Sequence, residues 1–495
     1  MPIFFRKYYR EILLSILAIA LLAPLMYYGR PLYLLTPDIK YAKAKVLQIS
    51  LADPYADPVT GYDTFHPPYY YLVLAALTAT GLDFNTVLFL ITILNVSLIL
   101  FLAYAVLRTI FGATTAFLAC LMIPFIIQFM GCRNILLPTS FCFSVPFYLA
   151  GLWCYLEPNA SPRQSTLAAV LWGLAFLISP VYLFLLGLTF LMGFIKGKER
   201  RRSLLMAVAF LITIIPFYIQ GAVIFSQHLW GTSTFAFWRG IPDYAWFHDL
   251  MVEFISPVIY ARISVPTVIH VLILLLAAVL MVKTRRVHWY LPLSLTAYLL
   301  TYYHFSAQYA IRIQVFFSLF LVAATIDSLR GFVRSPLVWA GPIIAAAVYA
   351  LVFYYDVTIP DFQYEQSIIE KNRDTAAELW NNVDKYLDKG GYVFCTKQTY
   401  FDALAPVIPV HALGAYKTMD YFQLNSRLAE ELDADYTTAI FTHSYDSIQQ
   451  IAAKYGIGRA VMMGGDVTLP GFQLLMQNWK RVYQDKYFLI LQRPD

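Results

Sequence analysis

Two stretches of one loop say most about this sequence: P-D-I-K-Y-A at residues 37–42 and D-P-V-T-G-Y-D-T-F-H-P-P-Y-Y-Y at residues 57–71. They follow the first membrane-length apolar run directly and place acids, lysines and a histidine together. Polar residues beside a bilayer are costly unless they bind something or take part in chemistry. The loop is therefore the first candidate for a functional site.

The composition around this loop excludes an ordinary soluble globular protein. Of the 495 residues, 59% are hydrophobic and only 13% are charged, and the mean hydropathy is +0.60. The net charge of +6 comes from short basic clusters between apolar runs, so nucleic acid is not an expected partner. The five cysteines show neither a C-x-x-C spacing nor a metal-binding pattern. We expect a multi-pass protein of the lipid bilayer.

Apolar runs of about 17–25 residues predict an α-helical polytopic membrane protein with about eleven transmembrane helices. The fifth and sixth spans are separated at Ser179-Pro180, and the first span is expected to be a retained anchor. The predicted spans are 12–28, 85–107, 113–131, 137–156, 164–179, 181–195, 203–225, 264–283, 289–303, 311–328 and 337–355.

Basic residues predict the orientation of these spans. With the N-terminus in the cytoplasm, alternation of the spans places every basic turn on the cytoplasmic side, as the positive-inside rule requires. These turns contain Arg108, Arg163, residues 196–202, Lys283, Arg285, Arg286, Arg330 and Arg334. The first loop, 29–84, and the residues after 355 then face the extracytoplasmic side.

Residues 356–495 differ from the membrane domain 1–355 and are predicted to form an extracytoplasmic α/β domain with a mostly parallel sheet. Its pattern contains no catalytic constellation. Helices are predicted at 375–387, 426–432, 448–455 and 472–479, and strands at 392–395, 439–442, 460–463 and 487–492.

The first loop itself predicts two helices. Thr36-Pro37-Asp38 is typical of a helix start, and the helix is expected to run to about residue 51. The helix dipole favours an ionised Asp38, which is then available as a proton acceptor, although a capping role alone explains it equally well. The apolar stripe of this helix is Ile39, Ala42, Val46 and Ile49, which favours a position at the membrane interface with the lysines near lipid phosphates.

His66 precedes Pro67-Pro68, which begin a short apolar helix expected over residues 69–81. From that position His66 is placed to donate to a phosphate or to hold Asp38. A purely structural hydrogen bond is the equal alternative.

The order of these features resembles a known family. A first span, P-D at its exit, an amphipathic helix, D-P-V-T-G, F-H-P-P-Y-Y-Y and a long second span are similar to membrane glycosyltransferases of the C-type (GT-C) fold. The protein O-mannosyltransferases and aminoarabinose transferases are the branch that it resembles. The resemblance is strongest over residues 30–110 and continues more loosely to Y-A-I-R at 309–312.

The resemblance implies a hexosyl- or pentosyltransferase that takes its sugar from a polyprenyl-phosphate donor on the extracytoplasmic face, in a bacterial inner membrane. The acceptor would be a protein, a lipid or a growing glycan. It also implies that Asp38 is the general base. Many relatives carry an acid at the next position, where this chain has Ile39, so no metal site is predicted there. Departure of a monophosphate needs no cofactor if enough cations converge, and a divalent cation stays an open alternative.

The leaving lipid phosphate carries negative charge, which lysine and arginine stabilise in surroundings of low dielectric constant. Arg312 stands out because it lies at the mouth of an apolar span, beside His304. The alternative for the cations is contact with lipid headgroups. The predicted substrate-binding residues are Lys40, Lys43, His66, Arg133, His304 and Arg312.

Two other classes of function compete with an inverting glycosyltransferase. A transporter or flippase of lipid-linked glycans would use the polar loop as a gate, and would show inverted repeats and broken helices. Only the break at Pro180 fits that pattern. A receptor without catalysis would leave Asp38, Arg312 and the lysine-bearing helix without a joint explanation.

Overall fold

The computed structural model divides the chain into two compact units. The first contains Met1–Pro31, Leu88–Tyr218 and Phe235–Pro360, and the second contains Leu32–Val87, Ile219–Thr234 and Asp361–Asp495. The first loop is thus grouped with the C-terminal residues, while the predicted domain boundary near residue 355 stays a prediction. The described residues are 3–28, 37–49, 55–56, 58, 68–129, 139–157, 161–195, 200–228, 288–304, 307–332, 340–356, 359–360, 363, 385–396, 399–400, 404, 408–413 and 426–494.

Helices form wherever the sequence has a predicted span within the described residues. The predicted span 264–283 lies outside them. In chain order the helices are α1 (Ile3–Tyr28), α2 (Pro37–Gln48), α3 (Tyr69–Thr78), α4 (Phe84–Phe111), α5 (Ala113–Leu121), α6 (Ile123–Phe129), α7 (Ser140–Leu156), α8 (Pro162–Ile178), α9 (Leu183–Ile195), α10 (Arg200–His228), α11 (Tyr290–His304), α12 (Ala307–Phe332) and α13 (Ala340–Asp356).

Two details of these helices bear on the number of spans. The third predicted span is interrupted at Met122, and the break expected at Ser179-Pro180 is a single 3-10 turn, Pro180–Tyr182. Among the described residues, Phe84–Phe111 and Arg312–Gly331 are long and apolar enough to cross a membrane. The count of about eleven spans therefore stays a prediction.

The core of the first unit is an aromatic cluster, defined here as Tyr148, Trp172, Tyr182, Tyr290, Phe316 and Phe320. None of its members is more than 1% exposed. The rings of Tyr148 and Tyr182 stack with 4.8 Å between centroids, and those of Tyr290 and Phe320 are 4.3 Å apart. Gly151 on α7 makes room for the indole, because a Cβ there would lie 2.5 Å from the Trp172 ring. The cluster joins α7, α8, the 3-10 turn, α11 and α12.

A proline inside α1 creates a contact with the last helix of the first unit. Pro24 has no backbone N–H, so it leaves the carbonyl of Ala20, four residues earlier, without its helical partner. The Tyr355 hydroxyl of α13 donates to that carbonyl, and the Tyr354 hydroxyl donates to the Leu21 carbonyl at 3.1 Å. The first and last helices are fastened together where α1 lacks a hydrogen bond.

Helix ends that the sequence predicts on the cytoplasmic side meet in two groups. The Arg330 guanidinium near the end of α12 donates to the Thr115 hydroxyl at the start of α5, at 2.6 Å. The Arg202 guanidinium in α10 donates to the Ser165 hydroxyl and to the Tyr155 carbonyl, each at 2.8 Å. Helix ends that are predicted to lie on the same side of the membrane are therefore in contact within each of these two groups. The face of the membrane that they occupy stays a prediction.

A small mixed sheet forms in the second unit, with strand order β2-β1-β3-β5-β4. Strand β1 pairs in parallel with β2 and β3, whereas β5 pairs antiparallel with β3 and β4. The expectation of a mostly parallel sheet is therefore wrong. Two strands escaped the sequence pattern because β2 has only two residues and β4, K-R-V-Y-Q, lacks a buried alternation. The strands are β1 (Tyr392–Phe394), β2 (His411–Ala412), β3 (Arg459–Met463), β4 (Lys480–Gln484) and β5 (Phe488–Gln492).

Three helices cover this sheet: α14 (Ser426–Phe441), α15 (Tyr445–Lys454) and α16 (Pro470–Asn478). The strand predicted at 439–442 is wrong because α14 continues to Phe441. Ala439 and Ile440 follow Leu432 by seven and eight residues, so all three lie on one helical face, and all three are buried. Helix α16 approaches that end of α14 closely, since a Cβ on Gly471 would lie 1.9 Å from the Ala439 carbonyl oxygen. The helix predicted at 375–387 lies mostly outside the described residues.

Candidate functional site

The predicted site residues fall in both units. Asp38 and Lys40 lie in the first turns of α2, and His304 is the last residue of α11, but the side chains of these three lie outside the described part of the structure. His66 and Arg133 lie entirely outside it. The structure therefore describes the side chains of Lys43, on α2 in the second unit, and of Arg312, on α12 in the first. Asp38, Lys40 and Lys43 share one helix, Pro37–Gln48.

Helix α2 buries a different face from the one that its apolar stripe predicts. Among residues 41–49, whose side chains the structure describes, Tyr41, Ala42, Ala44 and Lys45 are buried and Leu47 is exposed. Relative to the stripe of Ile39, Ala42, Val46 and Ile49, the buried face is rotated by about one residue, or about 100°. The stripe was misleading because Lys45, which is only 1% exposed, is buried with a hydrogen-bond partner.

That partner is the first loop itself. The Lys45 ammonium donates to the backbone carbonyl of Ala56, and one turn later the Gln48 amide nitrogen donates to the backbone carbonyl of Pro58 at 3.2 Å. A buried lysine is tolerated only when its charge is hydrogen-bonded, and its four-carbon stem packs among apolar neighbours. The last turn of α2 is consequently fixed to the backbone of Ala56 and Pro58.

The Pro58 carbonyl also receives two donors from C-terminal residues. The Tyr400 hydroxyl lies 3.0 Å from that oxygen and the His411 Nδ1 lies 3.1 Å from it. Because a carbonyl oxygen only accepts, Nδ1 of His411 carries the hydrogen in this contact. The Tyr400 hydroxyl is also 3.1 Å from the Val410 carbonyl, and the Tyr400 side chain is completely buried. One carbonyl of the first loop thus joins α2 to β2 and its neighbours.

Lys43 is the described cation of α2 that is not fully buried. Burial lowers the pKa of its ammonium group, and the nearby carboxylate of Asp83 opposes that shift. Asp83 accepts hydrogen bonds from the backbone N–H groups of Asn85 and Thr86 at the start of α4, at 3.0 and 3.1 Å. Bonds from the side chain and backbone of Thr86 lower the pKa of the Asp83 carboxyl group. Lys43 is therefore a partly desolvated cation with one carboxylate in electrostatic range.

Helix α3 packs against α2 through tyrosines. The Tyr41 and Tyr71 rings meet edge to face with 5.9 Å between centroids, and the Tyr70 and Tyr71 rings are 5.4 Å apart. Tyr70 and Tyr71 are buried. The Y-Y-Y run after the two prolines therefore supports the helix that carries Asp38.

Arg312 lies in the first unit, near the start of α12. It is half-buried in α12 and precedes Phe316 by four residues, so the two side chains share one helical face. Phe316 contacts Tyr148 with 4.7 Å between centroids. Arg312 thus shares a helical face with one member of the aromatic cluster, and its role at a phosphate stays a prediction.

The two units carry different groups that the predicted chemistry needs. Helix α2 carries a carboxylate at the end where the helix dipole favours its ionised form, and a partly desolvated lysine near its middle. The half-buried Arg312 lies in the other unit. Among the described side chains, no three of His, Cys, Asp and Glu lie together as a metal site would require.

The sequence pattern missed the burial of Lys45 and the convergence on Pro58. Lys45 follows Tyr41 by four residues, so the two share a helical face. A cation on an aromatic face was the available signal for a buried lysine. Nothing in the local sequence indicates that Tyr400 and His411, more than 340 residues later, meet the first loop.

No protein-family model matches the sequence, and no curated protein sequence matches it either. Solved structures do match. ArnT from Cupriavidus metallidurans, bound to undecaprenyl phosphate, is 15% identical with a TM-score of 0.60, and the alignment covers 97% of each chain. An oligosaccharyltransferase from Archaeoglobus fulgidus, tethered to an acceptor peptide, is 11% identical with a TM-score of 0.57, and covers 99% of this chain and 74% of that one.

The arabinofuranosyltransferase AftD from Mycobacteria is similar over 98% of this chain and 40% of its own, at 12% identity and a TM-score of 0.55. These three proteins share the GT-C fold. The fold of this chain is therefore that of the GT-C membrane glycosyltransferases, which confirms the resemblance drawn from the first loop.

Proposed function

We propose that this protein is an inverting glycosyltransferase of the membrane, which moves a sugar from a polyprenyl-phosphate donor to an acceptor on the extracytoplasmic face. The observation that carries the proposal is the similarity to ArnT over 97% of both chains, at nearly equal length, in a structure that contains undecaprenyl phosphate. The first loop, with P-D at the start of α2, supports the same chemistry. We extend the proposal to a bacterial inner membrane with the N-terminus in the cytoplasm.

In the proposed reaction Asp38 is the general base. The acceptor hydroxyl attacks the anomeric carbon from the side opposite the phosphate, and its proton passes to the Asp38 carboxylate. As the new carbon–oxygen bond forms, the bond to the phosphate oxygen breaks and its electrons remain on the departing polyprenyl phosphate. A single displacement of this kind inverts the anomeric configuration.

The leaving phosphate needs positive charge. We assign this role to Lys40, Lys43, His66, Arg133, His304 and Arg312. Lys43 is partly desolvated, and Arg312 is half-buried near the start of a long apolar helix, so each places charge where water competes less for a phosphate. Arginine adds a planar pair of donors that matches two phosphate oxygens. Positive charge from the side chains alone is enough to stabilise a departing monophosphate. Loss of activity in the presence of a chelator would show that a divalent cation is needed as well.

The test uses the purified full-length chain in nanodiscs. A panel of polyprenyl-phosphate pentoses and hexoses is added with a cell-envelope extract as the source of acceptor, and the release of polyprenyl phosphate is measured. We expect release with at least one sugar, only when extract is present. Mass spectrometry of envelope glycans from cells with and without the protein then identifies the acceptor. A repeat in EDTA tests the divalent cation.

Two results would contradict the proposal. If no member of the panel releases polyprenyl phosphate with extract from the source cells, the enzyme assignment is wrong. If lipid-linked sugar instead crosses the bilayer of sealed vesicles without release, the protein is a transporter or flippase. Cysteines introduced near residues 60 and 443 test the topology, because both should react with an impermeant label from the extracytoplasmic side only.

A further inference from the structure

The C-terminal residues reach the helix that carries the proposed base through a short chain of hydrogen bonds. Tyr400 and His411 donate to the Pro58 carbonyl, and Gln48 of α2 donates to the same oxygen. The Tyr400 hydroxyl has one hydrogen, which the Pro58 and Val410 carbonyls share, whereas Gln48 and His411 each direct an N–H at the Pro58 oxygen; this oxygen is therefore the shared point of attachment. Lys45 adds a second attachment at Ala56.

The attachment lies at the opposite end of α2 from the proposed base. Asp38 and Gln48 are ten residues apart, so about 15 Å of helix separates them. A helix moves as a rod, and a rotation of about 4° around its last turn displaces its first turn by about 1 Å. A displacement of about 1 Å at a reacting group can lower a rate by about 100-fold. Holding the last turn therefore fixes the place of the first.

We propose that Tyr400 and His411 are positioning residues for sugar transfer, a proposal that rests on the proposed function. They hold the Pro58 carbonyl, which holds Gln48 and with it α2, so that Asp38 stays in register with the donor and acceptor. The C-terminal residues then take part in catalysis without contributing a group to the chemistry. This role is separate from any part that they play in binding the acceptor.

The test compares variants that change one donor and keep the shape of the side chain. Tyr400→Phe removes the hydroxyl, His411→Leu removes the ring donor, and His411→Asn restores a donor close to the position of Nδ1. Tyr455→Phe is the matched control, because its hydroxyl donates to Asp435 at 2.8 Å within the sheet domain. All are made in the full-length chain in nanodiscs.

We expect Tyr400→Phe and His411→Leu to lower kcat for release of polyprenyl phosphate by about ten- to a hundredfold, with KM for the donor nearly unchanged. His411→Asn should recover most of the loss. Hydrogen exchange over residues 41–49 should accelerate in the two damaged variants, because the last turn of α2 is released, but not in Tyr455→Phe. Addition of Gln48→Leu to Tyr400→Phe should cost less than the product of the single effects, since both act on one oxygen.

The inference is overturned if the wild-type protein transfers sugar while both damaged variants keep a kcat within twofold of Tyr455→Phe. A raised donor KM at constant kcat would overturn it too, because that pattern indicates a binding role. Should Tyr400→Phe fail to fold, the comparison of His411→Leu with His411→Asn decides alone. If the wild-type protein transfers nothing, the proposed function fails and this role fails with it, whereas exchange over 41–49 still reports whether the attachment exists.

Discussion

The contacts inside the first unit differ in kind from those inside the second. The first depends on an aromatic cluster whose six members are at most 1% exposed, and on helices that approach closely at Gly151. In the second, the first loop depends on hydrogen bonds from four side chains to two backbone carbonyls, those of Ala56 and Pro58. Packing by large rings resists displacement in every direction, whereas hydrogen bonds to two carbonyls fix a position and release it when one donor is lost. Truncation of a ring in the aromatic cluster should therefore alter stability, and loss of a donor to the Ala56 or Pro58 carbonyl should alter chemistry.

The largest effect is expected at Asp38. Asp38→Asn keeps the size of the side chain but cannot accept the proton, so turnover should fall by about 10²–10⁴. Stability should change little, since an acid in a first helical turn typically contributes about 0.3–1 kcal/mol through the helix dipole. The measurement is release of polyprenyl phosphate by folded protein that still binds undecaprenyl phosphate.

Asp83→Asn is the matched control for that prediction, because Asp83 also begins a helix in the same unit. It should keep near-wild-type turnover and stability, because asparagine caps a helix about as well as aspartate. Wild-type turnover in Asp38→Asn would exclude the general-base role of Asp38.

Trp172→Ala tests the aromatic side of the comparison. The indole is fully buried and its Nε1 donates to the Tyr148 carbonyl at 3.2 Å, so truncation should destabilise the first unit by about 3–5 kcal/mol. Hydrogen exchange should accelerate in α7 and α8 and remain unchanged in β3 and β5. Equal loosening of both units would show that their stabilities are not separable in the way proposed above.

Arg312→Ala should weaken binding of undecaprenyl phosphate by about 10- to 100-fold, because a charged donor contributes about 1.5–3 kcal/mol. Arg312→Lys should recover part of the affinity, since lysine keeps the charge and loses the planar pair of donors. Native mass spectrometry of lipid-bound protein measures both. Arg481→Ala removes an equal charge from an exposed site on β4 and should bind normally. Undiminished binding by Arg312→Ala would move the phosphate site to Lys40, Lys43 or Arg133.

The smallest effect is expected at Lys43. Because burial lowers the pKa of Lys43, the charged form is disfavoured in the folded protein. Stability should therefore rise as the pH increases from the lowered pKa toward the ordinary lysine value of about 10.4, and the penalty is complete below that window. Lys43→Met should abolish this rise and be slightly more stable than the wild type near neutral pH. Unfolding midpoints across the alkaline range measure both effects, and a less stable Lys43→Met would contradict this account.

The sequence was a good guide to the helices because long apolar runs have few alternatives to a helix in a bilayer. It was a poorer guide to the sheet. T-T-A-I-F at residues 437–441 contains β-branched and aromatic residues typical of strands, yet burial of Ala439 and Ile440 against the sheet made it the end of α14. Tertiary packing decided the structure there, and no local pattern carries that information.

In the candidate site, too, some features follow from the local sequence and others depend on tertiary contacts. The position of Asp38 in the first turn of α2 follows from local rules for helix starts, which act within a few residues. The burial of Lys45 depends on Ala56, and the attachment of Pro58 depends on residues more than 340 positions away. The local sequence indicates which roles a residue could have. Contacts with residues far away in the sequence decide which of those roles it has in the folded protein.

The bond from Tyr355 to the Ala20 carbonyl has a consequence for biosynthesis. Its partners are 335 residues apart, so a ribosome makes the acceptor long before it makes the donor. Throughout that interval the gap that Pro24 leaves in α1 has no hydroxyl from α13 to close it. Nascent chains released before residue 354 lack both tyrosine donors to α1.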